Sequence, residues 1–175
     1  MDSLKKIVIT GPESTGKSWL TAKLGKHFKA PFADEYARHY LEEHGSDYDF
    51  DTLEKIIRGH KSHQQKAIQQ AENLVFLDTD LLNFKIWEEM VFGKTHDFLQ
   101  KEIENENDHL YLLTYPDIPW EQDPLRENPE NRMELFDSQL ELLKKIKRPF
   151  EIVKGAYDVR LKTALTATDE LLKNQ

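Results

Sequence analysis

Gly11, Pro12, Glu13, Ser14, Thr15, Gly16, Lys17 and Ser18 spell G-x-x-x-x-G-K-[ST], a spacing suited to gripping phosphate. Gly11 and Gly16 accept backbone angles that a Cβ would block, so consecutive N–H groups can face one anion. A helix starting at the end of the motif adds its positive N-terminal end. In such a loop the lysine, Lys17, reaches the β- and γ-phosphates of ATP, and the Ser18 hydroxyl holds Mg²⁺. Glu13, Ser14, Thr15 and Trp19 complete the expected nucleotide contacts. At average residue usage, four such fixed letters arise by chance in a chain this long about once in a few hundred. The competing reading is a Gly-rich turn before a helix, with no ligand.

Other reactive side chains fall outside the loop. Asp78 ends the apolar run Leu74–Asp78 and is the expected acidic partner of the Mg²⁺. Thr79 follows it, where hydrolytic ATPases commonly place a water-activating glutamate, and this favours transfer to a bound acceptor. Asp80 is either a substrate or metal contact or the N-cap of the next helix. Glu35 can orient an acceptor hydroxyl and take its proton, in a reaction where positioning outweighs basicity. Arg38, one turn on, binds an anionic group or forms an ordinary i,i+3 pair with Glu35. Arg126 and Arg132 can close over a triphosphate and neutralise transition-state charge. Trp120 offers a stacking face and Asp123 an acceptor for sugar hydroxyls, unless both merely anchor their loop. His60 and His63 lack a third ligand at a known metal spacing and are read as helix-face residues.

These side chains need a scaffold that collects strand ends. Within Leu4–Thr10, Ile7, Val8 and Ile9 form a short, nearly continuous apolar run, as expected of a buried parallel strand, and Leu20, Leu24 and Phe28 recur at helical spacing after the motif. A short strand over Ala30–Asp34 precedes a helix starting near Glu35. Leu53, Ile56, Ile57, His60, Gln64, Ala67, Ile68 and Ala71 share one helical face, and Gly59 within it marks a kink or a close approach. Leu74–Asp78, His109–Thr114 and Phe150–Val153 complete five strands, with helices to about Val91, from Met133 and over Leu161–Leu172. Lys101–Asp108 reads as a solvated surface segment. Residues 116–132 hold four of the seven prolines and read as a long ordered loop, a lid. Alternation of strands and helices predicts an α/β, three-layer phosphate-loop fold with a five-stranded parallel sheet, order 2-3-1-4-5. Ligands then bind beyond the carboxyl ends of the strands, where all these candidates lie.

Composition narrows the partners. The 175 residues suit one domain, 1–175, and the net charge of -8 argues against nucleic acid or an anionic membrane. There are no cysteines, which excludes disulfides and thiolate chemistry and fits a reducing cytoplasm. No stretch approaches the ~20 apolar residues of a membrane span. The first strand begins almost at once, so no signal peptide is expected.

Together these segments resemble the ribosylnicotinamide kinase domain of NadR-type proteins of NAD salvage. The resemblance rests on Gly11–Ser18, Glu35-Tyr36 with Arg38, Gly59-His60, Phe76-Leu77-Asp78-Thr79-Asp80, and Trp120 with Asp123 and Leu125-Arg126. It covers nearly the whole chain, and its Asp-Thr-Asp and Trp-x-x-Asp-x-Leu-Arg stretches are more specific than the phosphate loop. It implies ATP-dependent phosphorylation of the 5′-hydroxyl of nicotinamide riboside. Lys17 and Ser18 would serve ATP and Mg²⁺, with Arg126 and Arg132 over the phosphates. Glu35, Tyr36, Arg38, Asp80, Trp120 and Asp123 would face the riboside. Pro124 stands where the family usually has glycine, and the DNA-binding and adenylyltransferase modules of longer members are not expected. Two alternatives remain: a kinase for another nucleoside-like acceptor, or a non-catalytic nucleotide-binding module. For a GTP switch, neither Asp-x-x-Gly nor Asn-Lys-x-Asp is present, and Thr79 argues against an AAA-type ATPase. Oligomeric state is not legible.

Overall fold

The computed structural model describes residues 4–106, 108–127 and 129–173. The ends of the expected domain 1–175, and Asn128 of the expected loop, lie outside the described residues. Chain order is β1 (Lys5–Thr10), α1 (Lys17–Phe28), β2 (Phe32–Ala33), α2 (Tyr36–His44), α3 (Phe50–Gln70) and β3 (Leu74–Asp78). It continues through α4 (Leu81–Phe92), α5 (Asp97–Asn105), β4 (His109–Thr114), α6 (Arg132–Lys145), β5 (Phe150–Val153) and α7 (Tyr157–Lys173). All strand pairs are parallel, and the sheet order is β2-β3-β1-β4-β5, as the alternation predicts.

Period-two alternation splits the core. Ile7 and Ile9 face one side, with Phe76 and Leu112, under Leu20 and Leu24 of α1 and Ala164 of α7. Val8, Val75, Leu77 and Leu113 face the other, under apolar residues of α2, α3, α4, α5 and α6. The inner strands β1, β3 and β4 are buried on both faces, which explains their apolar runs, while the edge strands β2 and β5 are partly exposed. Register sets Ile7 beside Phe76 and Leu110, and Ile9 beside Asp78 and Leu112. The ends of β1 and β3 therefore open on the same edge as the phosphate loop.

Three expectations change. The strand over Ala30–Asp34 narrows to Phe32–Ala33. The Lys101–Asp108 segment is helical over its first five residues, as part of α5, and stays largely exposed with Ile103 turned into the core; its Asn107 lies outside the described residues. Leu99 and Ile103 are the buried side chains of that helix in a polar sequence, and its start is held by the His96 N–H donating to the buried Glu88 carboxylate at 2.9 Å. Gly59 is a close approach within an unbroken helix: a Cβ there would lie 2.3 Å from Cε1 of Tyr36. Among the described residues no helix is long and apolar enough to cross a membrane.

Candidate active site

The loop after β1 carries the strain its glycines permit. Gly11 has φ 146°, Gly16 φ 80° and Ser14 φ 54°. A Cβ at Gly11 would meet Oγ1 of Thr114 at 2.0 Å, so the end of β4 fixes that residue as glycine. The Thr15 hydroxyl donates to the Pro12 carbonyl at 2.8 Å and Lys17 Nζ to the same carbonyl at 2.7 Å. Behind the loop, the buried Arg160 guanidinium donates to carbonyls of Thr15 (3.2 Å), Tyr115 (2.8 Å) and Gly155 (2.6 Å), and pairs with Asp117.

A cavity of about 530 Å³ begins at this loop. Its wall includes every residue from Gly11 to Trp19, together with Glu35, Arg38, Asp123 and Arg126. Tyr48, Phe84 and Trp87 bring aromatic rings, and Gln139 a carboxamide.

At the metal-type end, the Ser18 hydroxyl donates to Asp78 Oδ2 at 2.6 Å. Asp78 is fully buried, and its Oδ1 has no hydrogen-bond partner among the described residues. Burial, reinforced by the charge of Glu35, pushes this carboxyl up to about 7 against the pull of Lys17 and Ser18. An orphaned oxygen beside a hydroxyl suits a hard divalent cation with oxygen ligands, so the pair fits Mg²⁺.

At the opposite wall, Glu35 occupies the N-cap position of α2 but makes no side-chain cap bond. Its carboxylate borders the cavity instead. Arg38 does not pair with Glu35. Its Nη2 donates to Asp123 Oδ2 at 3.0 Å and its Nη1 reaches Glu42 at 3.4 Å, joining α2 to the 116–132 loop. Asp123 also accepts from the Leu125 N–H at 2.9 Å, and that bond followed by Arg38 lowers its carboxyl below the usual range.

The 116–132 loop folds onto Ser14. The Glu121 N–H donates to Ser14 Oγ at 2.8 Å, Arg126 Nη1 to the Glu121 carbonyl at 2.6 Å, and Arg132 Nη1 to the Ser14 carbonyl at 3.1 Å. Both guanidiniums lie near the Trp120 ring, 5.9 and 5.8 Å from its centroid.

Several candidates stand off the cavity wall. Asp80 takes the capping alternative: it is buried, accepts from the Leu82 N–H at 3.0 Å and from the Tyr111 hydroxyl at 2.6 Å, and is turned inward. Tyr36 packs against Gly59, Trp120 sits against its two arginines, and Arg132 braces loop backbone. His60 is fully buried on the helical face it shares with Leu53, Ile56 and Ile57, and is not on the cavity wall.

Sequence reasoning missed Thr114, Asn83 (paired with Thr10), Tyr48, Trp87, Gln139 and Arg160. Only Thr114, at a strand end, carried a positional signal.

Known proteins resemble this chain in sequence and in fold. The trifunctional NAD biosynthesis/regulator protein NadR of Salmonella typhimurium is 30% identical over 179 residues, covering 98% of this chain and 44% of that protein. The chain thus spans less than half the length of this relative. The crystal structure of NadR in complex with NR is 24% identical, with a TM-score of 0.85 over 95% of this chain and 51% of that one. A deoxyadenosine kinase from M. mycoides, 18% identical, matches with a TM-score of 0.60 over 94% of this chain and 97% of that one. These structural likenesses establish a phosphate-loop kinase fold. A family profile described as an AAA domain matches residues 6–160. That match takes in the phosphate loop, Asp78 and the arginine-bearing loop, and the chain belongs to this AAA-domain family.

Proposed function

We propose that the chain transfers the γ-phosphoryl group of ATP to the 5′-hydroxyl of nicotinamide riboside, giving the mononucleotide and ADP. The observation that carries this reading is Glu35. Its carboxylate takes no part in capping its own helix and borders the same cavity as the phosphate loop. An acceptor hydroxyl held there is oriented by Glu35 and gives up its proton to it, while its oxygen bonds to the γ-phosphorus and ADP departs. Lys17 and Arg126 bear on the developing phosphate charge. Ser18 and Asp78 would hold Mg²⁺, which would supply neutralising charge to the phosphates. Arg38 and Asp123 fix the loop over the acceptor, with Asp123 also open to sugar hydroxyls. The 98% coverage of this chain in its alignment with NadR supports the choice of riboside. The described residues act as one domain, and the cysteine-free composition supports a cytoplasmic location.

The test is ADP release from ATP and Mg²⁺, with and without nicotinamide riboside, for wild type and Glu35→Gln. Riboside-dependent release that falls at least about 100-fold in the variant supports the reaction and the base. Release indifferent to the riboside removes this acceptor. The second reading, a kinase for another nucleoside-like acceptor, draws on the fold shared with deoxyadenosine kinase and is separated by an acceptor panel.

A further inference from the structure

We infer that Gln64 is a positioning residue for the cation site: it holds Thr79 in a left-handed backbone conformation that keeps Asp78 on Ser18 and sends Asp80 to the other side of the sheet. The inference rests on the kinase reading above, through its Ser18–Asp78 pair, and names a residue that builds the geometry of that pair.

Thr79 has φ 62°. Among the described residues, the other non-glycine positions with positive φ are Ser14 in the phosphate loop and Lys29 and Lys147, each just past the end of a helix. Thr79 alone of these is β-branched, and its Cβ is crowded in that region. Such strain persists only where the surroundings over-determine it, and it gathers at functional sites. Here both flanking peptide planes are held. The Thr79 N–H donates to the Ile9 carbonyl of β1 at 2.8 Å. The Thr79 carbonyl accepts from Nε2 of Gln64, buried on α3, also at 2.8 Å. Fixing the planes on either side of a residue fixes its φ and ψ. Thr79 is itself buried and borders the cavity.

The conformation breaks the alternation of β3. Leu74 and Phe76 face α1, and Asp78 continues their row to meet Ser18. Period two would return Asp80 to that side and put a second carboxylate beside Asp78. Instead Asp80 lies on the opposite side, accepting from the Tyr111 hydroxyl, and Tyr111 packs in the cluster of Val8 and Leu77. The cation pair thus keeps a single carboxylate. That leaves room for Mg²⁺ to retain waters and take phosphate oxygens. Loss of the Gln64 donor frees the second peptide plane, and threonine then relaxes toward extended backbone, moving both carboxylates. Glycine in its place holds the left-handed form without that donor, because it has no Cβ to clash.

The experiment measures ADP affinity by calorimetry across a Mg²⁺ series and in EDTA, so no turnover is involved. Wild type, Gln64→Leu, Gln64→Met and the double variant Gln64→Leu/Thr79→Gly are compared, with the melting temperature recorded for each. In Gln64→Leu the Mg²⁺ concentration that half-maximally strengthens ADP binding should rise about tenfold, with affinity in EDTA unchanged. Adding Thr79→Gly should return the Mg²⁺ dependence to that of wild type. Gln64→Met, alone and with Thr79→Gly, serves if the Leu variant fails to fold. An unchanged Mg²⁺ dependence in a folded Gln64 variant, an equal loss of affinity in EDTA, or no recovery with Thr79→Gly overturns the inference while leaving the kinase reading intact. A wild type whose ADP affinity ignores Mg²⁺ overturns the cation pair and the inference with it.

Discussion

Gly59 and Tyr36 are in such close register that no side chain fits between them. A Cβ at Gly59 would sit 2.3 Å from Cε1 and 2.5 Å from the hydroxyl oxygen of Tyr36. Tyr36 opens α2 directly after Glu35, so this contact sets how that helix lies on α3. Gly59→Ala gains about 1 kcal/mol of helix propensity. Overpacking costs about 1–3 kcal/mol and dominates. Urea denaturation should show net destabilisation that shrinks when Tyr36→Ala is added, and simple additivity of the two changes would refute the contact.

The buried Arg160 should matter to nucleotide binding without touching nucleotide. It holds the Thr15 carbonyl of the phosphate loop and pairs with Asp117, which also accepts from the Gly155 N–H at 2.7 Å. Arg160→Met leaves Asp117 and the carbonyls of Thr15, Val153, Tyr115 and Gly155 short of a donor, for a loss of about 3 kcal/mol. The KM for ATP should rise in the same variant. A stable variant with unaltered KM would show that the loop is held by other means.

The Ser18–Asp78 pair predicts a strict divalent-cation requirement. Chelation of Mg²⁺ should abolish turnover, and Ser18→Ala should raise the Mg²⁺ concentration needed for half-maximal rate by about tenfold or more. Turnover of the variant at wild-type Mg²⁺ levels would place the cation elsewhere.

His60 gives a pH signature. Burial holds its ring well below the usual value, at about 4, against a smaller opposing pull from Asp80. Below pH 6.5 the unfolded chain takes up a proton that the folded chain refuses until about pH 4. Its contribution to stability is therefore full above pH 6.5 and is lost as pH falls toward 4, by about 3 kcal/mol in all. Guanidinium unfolding between pH 7.5 and 5 should show a shallower slope in His60→Leu than in wild type. Parallel slopes would mean that His60 protonates freely in the folded state.

Legibility in the sequence followed the range of the interactions. The central strands were readable because parallel strands buried on both faces advertise themselves as apolar runs, as Leu74–Asp78 does. The phosphate loop was readable because its demands are local: two glycines, a lysine and a hydroxyl. The helix over Asp97–Asn105 was hidden because just Leu99 and Ile103 anchor it, and its start depends on Glu88, a lone buried acid on another helix. Asp80 was ambiguous because a capping aspartate and a ligand-facing one look alike until Tyr111 is seen beneath it. Gln139, Tyr48 and Trp87 were invisible for a similar reason. A glutamine on an amphipathic helix reads as surface until the opposing wall is known.

The pairing of Ile9 with Asp78 has a further consequence for how errors in assembly are punished. A slip of β3 by two residues against β1 would return every side chain to its proper face, so hydrophobic patterning does not forbid it. It would nonetheless carry Asp78 about 7 Å along the strand, out of reach of Ser18. The backbone bonds at the strand ends, from the Lys5 N–H to the Asn73 carbonyl and from the Thr79 N–H to the Ile9 carbonyl, both at 2.8 Å, would re-form with other residues after such a slip, whereas the Ser18–Asp78 hydrogen bond would not. The sheet therefore acts as a ruler for the cation site, and that side-chain bond marks its zero.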